Sequence, residues 1–209
     1  MKTEFIKLYE ENPDPRKISQ VVDVLRKGGV IIYPTDTIYG MGCDIFNTRA
    51  IEKIKQLKGI KSKKVDFSFI CYDLSHISEY TKSLETSTFK LMKKALPGPF
   101  TFILNSSNKV PKMLNASKKT IGIRVPNNNI PRDIVRELEN PIITTSIHDD
   151  DEILEYSTDP ELILEKYDGR VDLIIDGGYG SNVASTVVDC TEGEALVVRE
   201  GMGDLSEFL

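Results

Sequence analysis

The chain has 209 residues, of which 40% are hydrophobic and 28% are charged, and its formal net charge is −5. This composition favours one globular domain over residues 1–209 and excludes both a collagen-like fibre and a disordered chain. The sequence has no run of about 18 apolar residues, which argues against a membrane-spanning helix. Its first residues lack the apolar segment of a secretory signal, so we expect a cytoplasmic protein.

The charge is distributed unevenly along the chain. Residues 1–124 contain 22 Lys and Arg against 12 Asp and Glu, whereas residues 125–209 contain 5 against 20. Six lysines between Lys53 and Lys64 follow one another without an intervening acid. This pattern is typical of a surface that binds phosphate groups or RNA, and equally of a solvated helix face followed by a loop. Charge alone leaves both interpretations open.

Apolar periodicity and the positions of Gly and Pro predict the secondary structure. The first helix begins at Asp14-Pro15, where an N-cap residue precedes a proline, and it ends at Gly28-Gly29. Further helices are predicted at 48–57, 86–96, 129–139 and from 159 onwards. Strands are predicted at 30–33, 67–71, 100–104, 120–125, 142–145, 173–175, 186–189 and 196–199. Because strands outnumber a simple βαβ alternation, we expect an α+β or irregular α/β domain with helices packed on a twisted mixed sheet.

Several common kinds of site are not supported. Cys43, Cys71 and Cys190 lie far apart and form no Cys-x-x-Cys pair, so we expect small buried hydrophobic residues and neither disulfides nor a zinc site. The sequence contains no Gly-x-Gly-x-x-Gly, no P-loop and no Gly-x-Ser-x-Gly. We expect His76 on an ordinary helix face and the acidic run 149–152 in a solvated loop. No metal site and no catalytic nucleophile are therefore predicted.

Polar residues collect at the ends of the predicted strands. They belong to seven short blocks: YPTDTIYGMGC (33–43), LPGPFT (96–101), TIGIRVP (120–126), PIITTS (141–146), IIDGG (174–178), STVVDC (185–190) and VVREG (197–201). Read in this order, the blocks resemble the YrdC/YciO family, whose best-known members are threonylcarbamoyl-AMP synthases. The resemblance spans nearly the whole chain. It implies a single YrdC-like domain with a concave basic cleft.

The resemblance also implies a reaction. Synthases of this family join L-threonine, bicarbonate and ATP into threonylcarbamoyl-adenylate and pyrophosphate, which supplies a modification of tRNA. A carbamate oxygen on the threonine nitrogen attacks the α-phosphate, so the protein has to orient two anions and needs no nucleophile of its own. ATP is then a substrate accompanied by Mg²⁺, and no tightly bound cofactor is expected.

Two groups of site residues follow from the resemblance. The amino-acid side consists of Thr35, Arg124, Thr144 and Ser185, in which Arg124 pairs with the substrate carboxylate as a planar bidentate donor. The nucleotide side consists of Lys58, Lys61, Thr120, Ser146 and Arg199. We expect the loop 58–66 to be mobile and to become ordered when nucleotide binds.

Two departures from the synthase pattern favour the YciO branch of the family. Lys58-Gly59-Ile60 stands where synthases carry Lys-x-Arg, so the second cation has to come from Lys61, Lys63 or Lys64. Ser146-Ile147-His148, followed by acids, stands where synthases carry Ser-Ala-Asn, which places negative charge near a triphosphate.

These departures leave an alternative function open: a YciO-type protein that binds nucleotide or RNA and lacks the synthase activity. Its partner would be tRNA or double-stranded RNA, bound on a concave surface formed by Lys53–Lys64, Lys90, Lys93, Lys94 and Lys109–Lys119. The sequence does not predict an oligomeric state.

Overall fold

The computed structural model describes residues 2–61, 67–111, 114, 119–147 and 155–208, with only the backbone of residues 155 and 156. Its strands are β1 (Glu4–Lys7), β2 (Ile31–Tyr33), β3 (Gly40–Asp44), β4 (Ser68–Ile70), β5 (Phe100–Asn105), β6 (Thr120–Arg124), β7 (Ile142–Ser146), β8 (Leu173–Asp176), β9 (Thr186–Asp189) and β10 (Leu196–Arg199). Within the described residues these strands form one sheet in the order β1-β8-β2-β3-β7-β4-β6-β5-β9-β10. Parallel and antiparallel pairs both occur, which confirms the predicted mixed sheet.

Helices connect the strands and pack on the sheet. They are α1 (Pro15–Arg26), α2 (Thr48–Leu57), α3 (Leu74–Tyr80), α4 (Thr86–Ala95), α5 (Asn129–Leu138), α6 (Glu155–Thr158) and α7 (Pro160–Tyr167), with a 3-10 helix at Leu205–Phe208. Each helix and strand predicted from the sequence is present, whereas β1, β3, α3, α6 and the 3-10 helix were not predicted. Segment 62–66 of the loop expected to be mobile and the acidic run 149–152 lie outside the described residues. No helix in the described part of the chain combines the length and apolarity needed to cross a membrane.

The first helix shows how local sequence sets an element. The side chain of Asp14 accepts a hydrogen bond from the Arg16 amide at 2.9 Å, which satisfies a free N–H at the helix start. Pro15 occupies the first turn, where no intrahelical N–H bond is lost. Gly28 ends the segment with φ of 84°, a left-handed conformation that suits glycine. The apolar face of α1 is thereby fixed against the sheet.

The sheet separates two hydrophobic clusters, because successive side chains of a strand point to opposite faces. Ile31 and Tyr33 pack in one cluster with buried residues of α1 and α5. Ile32 belongs to the other cluster, which includes buried residues of α2, α3, α4 and α7. The three cysteines are free and buried, as predicted. Helices α1 and α5 therefore share one sheet face, and the other helices named here cover the opposite face.

His76 is buried on α3 rather than exposed on its surface, with 4% of its area accessible. Its ring stacks on Tyr72 with centroids 4.8 Å apart and meets the ring of Tyr80 edge-on at 5.6 Å. Its Nδ1 atom has no hydrogen-bond partner. Burial lowers the pKa of His76, while the negative charges of Glu79 and Asp73 act in the opposite direction.

We expect this histidine to make stability depend on pH. In the unfolded chain the pKa is about 6.5, so below that value the unfolded state binds more protons than the folded state. The contribution of neutral His76 to the free energy of unfolding is complete above about pH 6.5 and is lost as the pH falls below that value. Denaturant unfolding should show that the free energy of unfolding falls more between about pH 7.5 and about pH 5.5 in wild type than in His76→Phe. Equal losses in the two proteins would contradict this assignment.

Candidate functional site

A cleft of about 950 Å³ opens on the sheet face that also carries α1 and α5. Strand register places one row of residues on that face: Ile31, Gly42, Thr144, Ser68, Gly122, Ile103 and Asp189. Ile31 packs with α1, whereas the last five residues of the row line the cleft. A volume of this size is at the upper end of small-molecule sites, where about 300 to 1,000 Å³ is usual. The cleft therefore has room for more than a single amino acid.

Glycines keep the floor of the cleft low. A Cβ atom on Gly122 would lie 2.5 Å from Ser68 Oγ and 3.3 Å from Thr101 Cγ2. On β3, a Cβ at Gly40 would come within 3.0 Å of the Tyr33 ring, and one at Gly42 within 3.1 Å. The glycines of β3 thus leave room for the tyrosine ring beside the cleft floor, and Gly122 keeps the floor open.

Arg124 is the most deeply buried cation of the cleft wall, with 8% of its surface exposed. Its Nη2 atom donates to Asp36 Oδ1 at 3.0 Å and to Thr37 Oγ1 at 2.9 Å. Its Nε atom has no hydrogen-bond partner. Burial lowers the pKa of Arg124, Asp36 opposes that shift, and Arg199 adds to it. Both Nη2 hydrogens are thus committed, and the unpartnered donor at Nε is the kind of group that an anionic ligand satisfies.

Asp36 holds Arg124 in place and joins two loops. One carboxylate oxygen pairs with Arg124, and the other accepts a hydrogen bond from the Asn127 amide at 2.9 Å. The side chains of this ion pair are each 10% exposed. Since an arginine retains its charge, the buried pair fixes the direction in which the remaining donors point.

Thr35 does not line the cleft, although the sequence placed it on the amino-acid side. Its hydroxyl donates to the Ile38 carbonyl at 2.8 Å and accepts from the Thr37 amide at 3.0 Å. The Thr35 and Thr37 hydroxyl oxygens are 3.2 Å apart. Thr37 is the residue that reaches the wall. Thr35 therefore shapes the loop and supports Thr37.

The opposite wall of the cleft carries Arg199, Ser185 and Thr101, all of which are lining residues. Arg199 Nη2 donates to the Ser185 carbonyl at 2.8 Å and lies 3.4 Å from its hydroxyl. The Ser185 and Thr101 hydroxyl oxygens are 2.8 Å apart. The positive charge of Arg199 contributes to the lowered pKa of Arg124, and both arginines line the same cleft. The structure thus brings together Arg124, Thr144, Ser185, Thr120, Ser146 and Arg199 of the predicted site residues.

Lys58 and Lys61 are placed differently. Lys58 caps the carboxyl end of α2, which packs on the sheet face opposite the cleft, and Lys61 follows it. Neither lysine is among the described residues that line the cleft. In that part of the lining the two arginines are balanced by Asp189 and Glu192. The basic character predicted for the cleft therefore does not come from these residues.

Most lysines of the predicted RNA surface that the structure describes also lie away from the concave face. Those of α2 and α4 project from helices that pack on the opposite face. Several have partners: Lys53 Nζ is 2.8 Å from Asp172, Lys109 Nζ is 2.9 Å from Glu79, and Lys94 Nζ donates to the Phe208 carbonyl at 3.2 Å. In the described residues, these lysines do not form the continuous concave surface expected from the sequence.

Within the described segments, no group of three or more His, Cys, Asp or Glu side chains is arranged to hold a metal ion. Asp189, which lines the cleft, accepts hydrogen bonds from the amide and the hydroxyl of Thr191 at 2.9 and 2.7 Å. These contacts occupy one of its carboxylate oxygens. The cleft combines hydroxyl groups and two guanidinium groups, which suit anionic oxygen ligands, with the carboxylates of Asp189 and Glu192.

A family model described as "Sua5_yciO_yrdC, telomere recombination" matches residues 23–201. The Escherichia coli K12 protein YciO is 40% identical over 209 residues, covering 99% of this chain and 100% of that protein. Its crystal structure superposes with a TM-score of 0.90.

Proteins named threonylcarbamoyl-AMP synthase are more distant. That of Bacillus subtilis is 32% identical over 190 residues, which cover 90% of this chain and 54% of that protein. The structure of Pyrococcus abyssi Sua5 in complex with L-threonine has a TM-score of 0.87 at 27% identity, covering 98% of this chain and 59% of that one. This chain thus spans a little over half the length of these two synthases.

Proposed function

Because the chain belongs to the Sua5/YciO/YrdC family, we propose that it is a threonylcarbamoyl-AMP synthase-like enzyme. Its substrates are L-threonine, bicarbonate and ATP, and its products are threonylcarbamoyl-adenylate and pyrophosphate. The threonylcarbamoyl-adenylate serves tRNA modification. The observation that carries this proposal is the buried Arg124 guanidinium in the cleft wall, whose Nε donor has no hydrogen-bond partner.

The amino acid lies on the Arg124 side of the cleft. Its carboxylate pairs with the Arg124 guanidinium through donors other than Nη2, whose two hydrogens go to Asp36 and Thr37. The hydroxyl groups of Thr144 on the floor and Ser185 on the wall supply further hydrogen bonds.

The nucleotide lies along Thr120, Ser146 and Arg199, which line the remaining length of the cleft. Lys58 and Lys61, which the family resemblance assigns to this side, are not among the described residues that line the cleft. Mg²⁺ arrives with the triphosphate and neutralises part of its charge. The carbamate oxygen of the bound amino acid attacks the α-phosphorus, and pyrophosphate leaves. Since no step needs a protein nucleophile, catalysis consists of positioning and charge stabilisation.

Pyrophosphate release tests this function directly. The purified protein is incubated with ATP, Mg²⁺ and bicarbonate, and release is compared with L-threonine, with L-serine, with L-valine and without an amino acid. We expect release that depends on both L-threonine and bicarbonate, together with a product whose mass equals threonylcarbamoyl-adenylate. Absence of release with every amino acid would overturn the proposal.

A further inference from the structure

Tyr33 lies on the same sheet face as the cleft, beside its floor. It is fully buried, and its ring packs against the positions of Gly40 and Gly42 on the neighbouring strand. Burial raises the pKa of the Tyr33 phenol, and the nearby Arg124 charge only partly offsets this effect. The phenol therefore remains protonated throughout the pH range in which the protein works, and it always has one proton to donate.

That proton is committed to one neighbour. Tyr33 Oη donates to Thr144 Oγ1 at 2.7 Å, inside the protein. A threonine hydroxyl has one proton and two lone pairs, and one of the lone pairs now accepts from Tyr33. Thr144 is 6% exposed and lines the cleft. The Thr144 hydroxyl proton is therefore available to donate a hydrogen bond to a ligand on the cleft floor.

The loop threonines show the contrast. Thr35 donates its proton to the Ile38 carbonyl, so in its contact with Thr37 it can only accept. Thr37 accepts from Arg124 and donates to Thr35, which leaves it no proton for a ligand. Of Thr35, Thr37 and Thr144, only Thr144 has a proton left for a ligand.

We propose that Tyr33 is a positioning residue that fixes the Thr144 hydroxyl as a hydrogen-bond donor to the carboxylate of the bound amino acid. This inference rests on the proposed function, because it assigns the acceptor to that substrate. Tyr33 does not touch the ligand. It acts through Thr144, and the two consecutive O–H donors strengthen one another by polarisation.

Tyr33→Phe isolates the hydroxyl, since the ring that packs on β3 is retained. We expect KM for L-threonine to rise about 5- to 10-fold, as befits the loss of one oriented hydrogen bond, with KM for ATP changed less than about 2-fold. Tyr80→Phe makes the same change in the core on the opposite face of the sheet and should leave both constants unchanged. Thermal unfolding of each variant shows that the fold is retained.

A double-mutant cycle tests the route through Thr144. Thr144→Val should weaken the binding of L-threonine at least as much as Tyr33→Phe does. The double variant should bind L-threonine no more weakly than Thr144→Val alone. L-threoninol, which lacks the carboxylate, should inhibit wild type and Tyr33→Phe equally. Additive effects in the cycle, or unchanged KM in Tyr33→Phe, would overturn the inference while wild-type activity leaves the proposed function standing. A wild type that shows no threonine-dependent reaction overturns both.

Discussion

Arg124→Ala should lower kcat/KM for L-threonine by at least about 100-fold in the pyrophosphate assay. A hydrogen bond to a charged group contributes about 1.5 to 3 kcal/mol, and this variant loses the charged contact with the substrate carboxylate. The change also leaves the Asp36 carboxylate without its cation, and a negative charge close to the binding position repels a second carboxylate. Both effects act in the same direction on the substrate.

Arg124→Lys separates charge from geometry. A lysine ammonium is a point charge, and it cannot pair with Asp36 and present two parallel donors to a ligand at once. We therefore expect this variant to stay at least about 10-fold below wild type although its formal charge is unchanged.

Arg136→Ala is the matched control, because Arg136 also pairs with an aspartate, Asp133, at 2.8 Å but lies on the surface. It should retain full activity. If Arg124→Ala stays within about 3-fold of wild type while remaining folded, the carboxylate does not bind at this arginine.

The pattern of apolar residues was sufficient to predict the main elements of the fold. Pro15 and Gly28 delimit α1 in the structure where capping rules place its ends. Strand β3 was not predicted because Gly40 and Gly42 depress strand propensity. These glycines are explained by contacts distant in sequence, with the Tyr33 ring and with Ile143 and Thr144 of β7, which no local pattern encodes.

The site was partly predictable for a similar reason. Residues at strand ends, such as Arg124 and Ser185, could be identified because strand ends of one sheet converge on a shared cleft. Asp36 was not assigned a role, since its partner lies 88 residues away in the chain. Thr35 was assigned to the substrate, whereas its hydroxyl bonds within the turn and Thr37 is the residue found in the cleft lining. Hydrogen-bond direction within a loop depends on its three-dimensional path and not on spacing.

Gly122→Val should abolish the reaction while the protein stays folded, with kcat/KM reduced by about 100-fold or more. Gly122 lies on the cleft floor between Ser68 and Ile103, two positions from Arg124 on the same strand. The first added carbon meets Ser68 Oγ at 2.5 Å, the end of a short side chain that can rotate away. The two further methyl groups of valine then project into the space where the amino acid is proposed to bind.

Valine is favoured in strands, so the change should alter the free energy of unfolding by no more than about 1 kcal/mol. Gly122→Ala gives a graded control and should lose less activity than valine, since it adds a single methyl group. Ile123→Val alters the neighbouring position, which faces the core on the other side of the sheet, and should leave KM unchanged. An active Gly122→Val protein would show that substrates do not occupy the floor at β6. Gly122→Val changes volume and no charge, whereas Arg124→Ala removes a cation. If both variants are inactive, one bound substrate contacts both the floor at β6 and the Arg124 guanidinium.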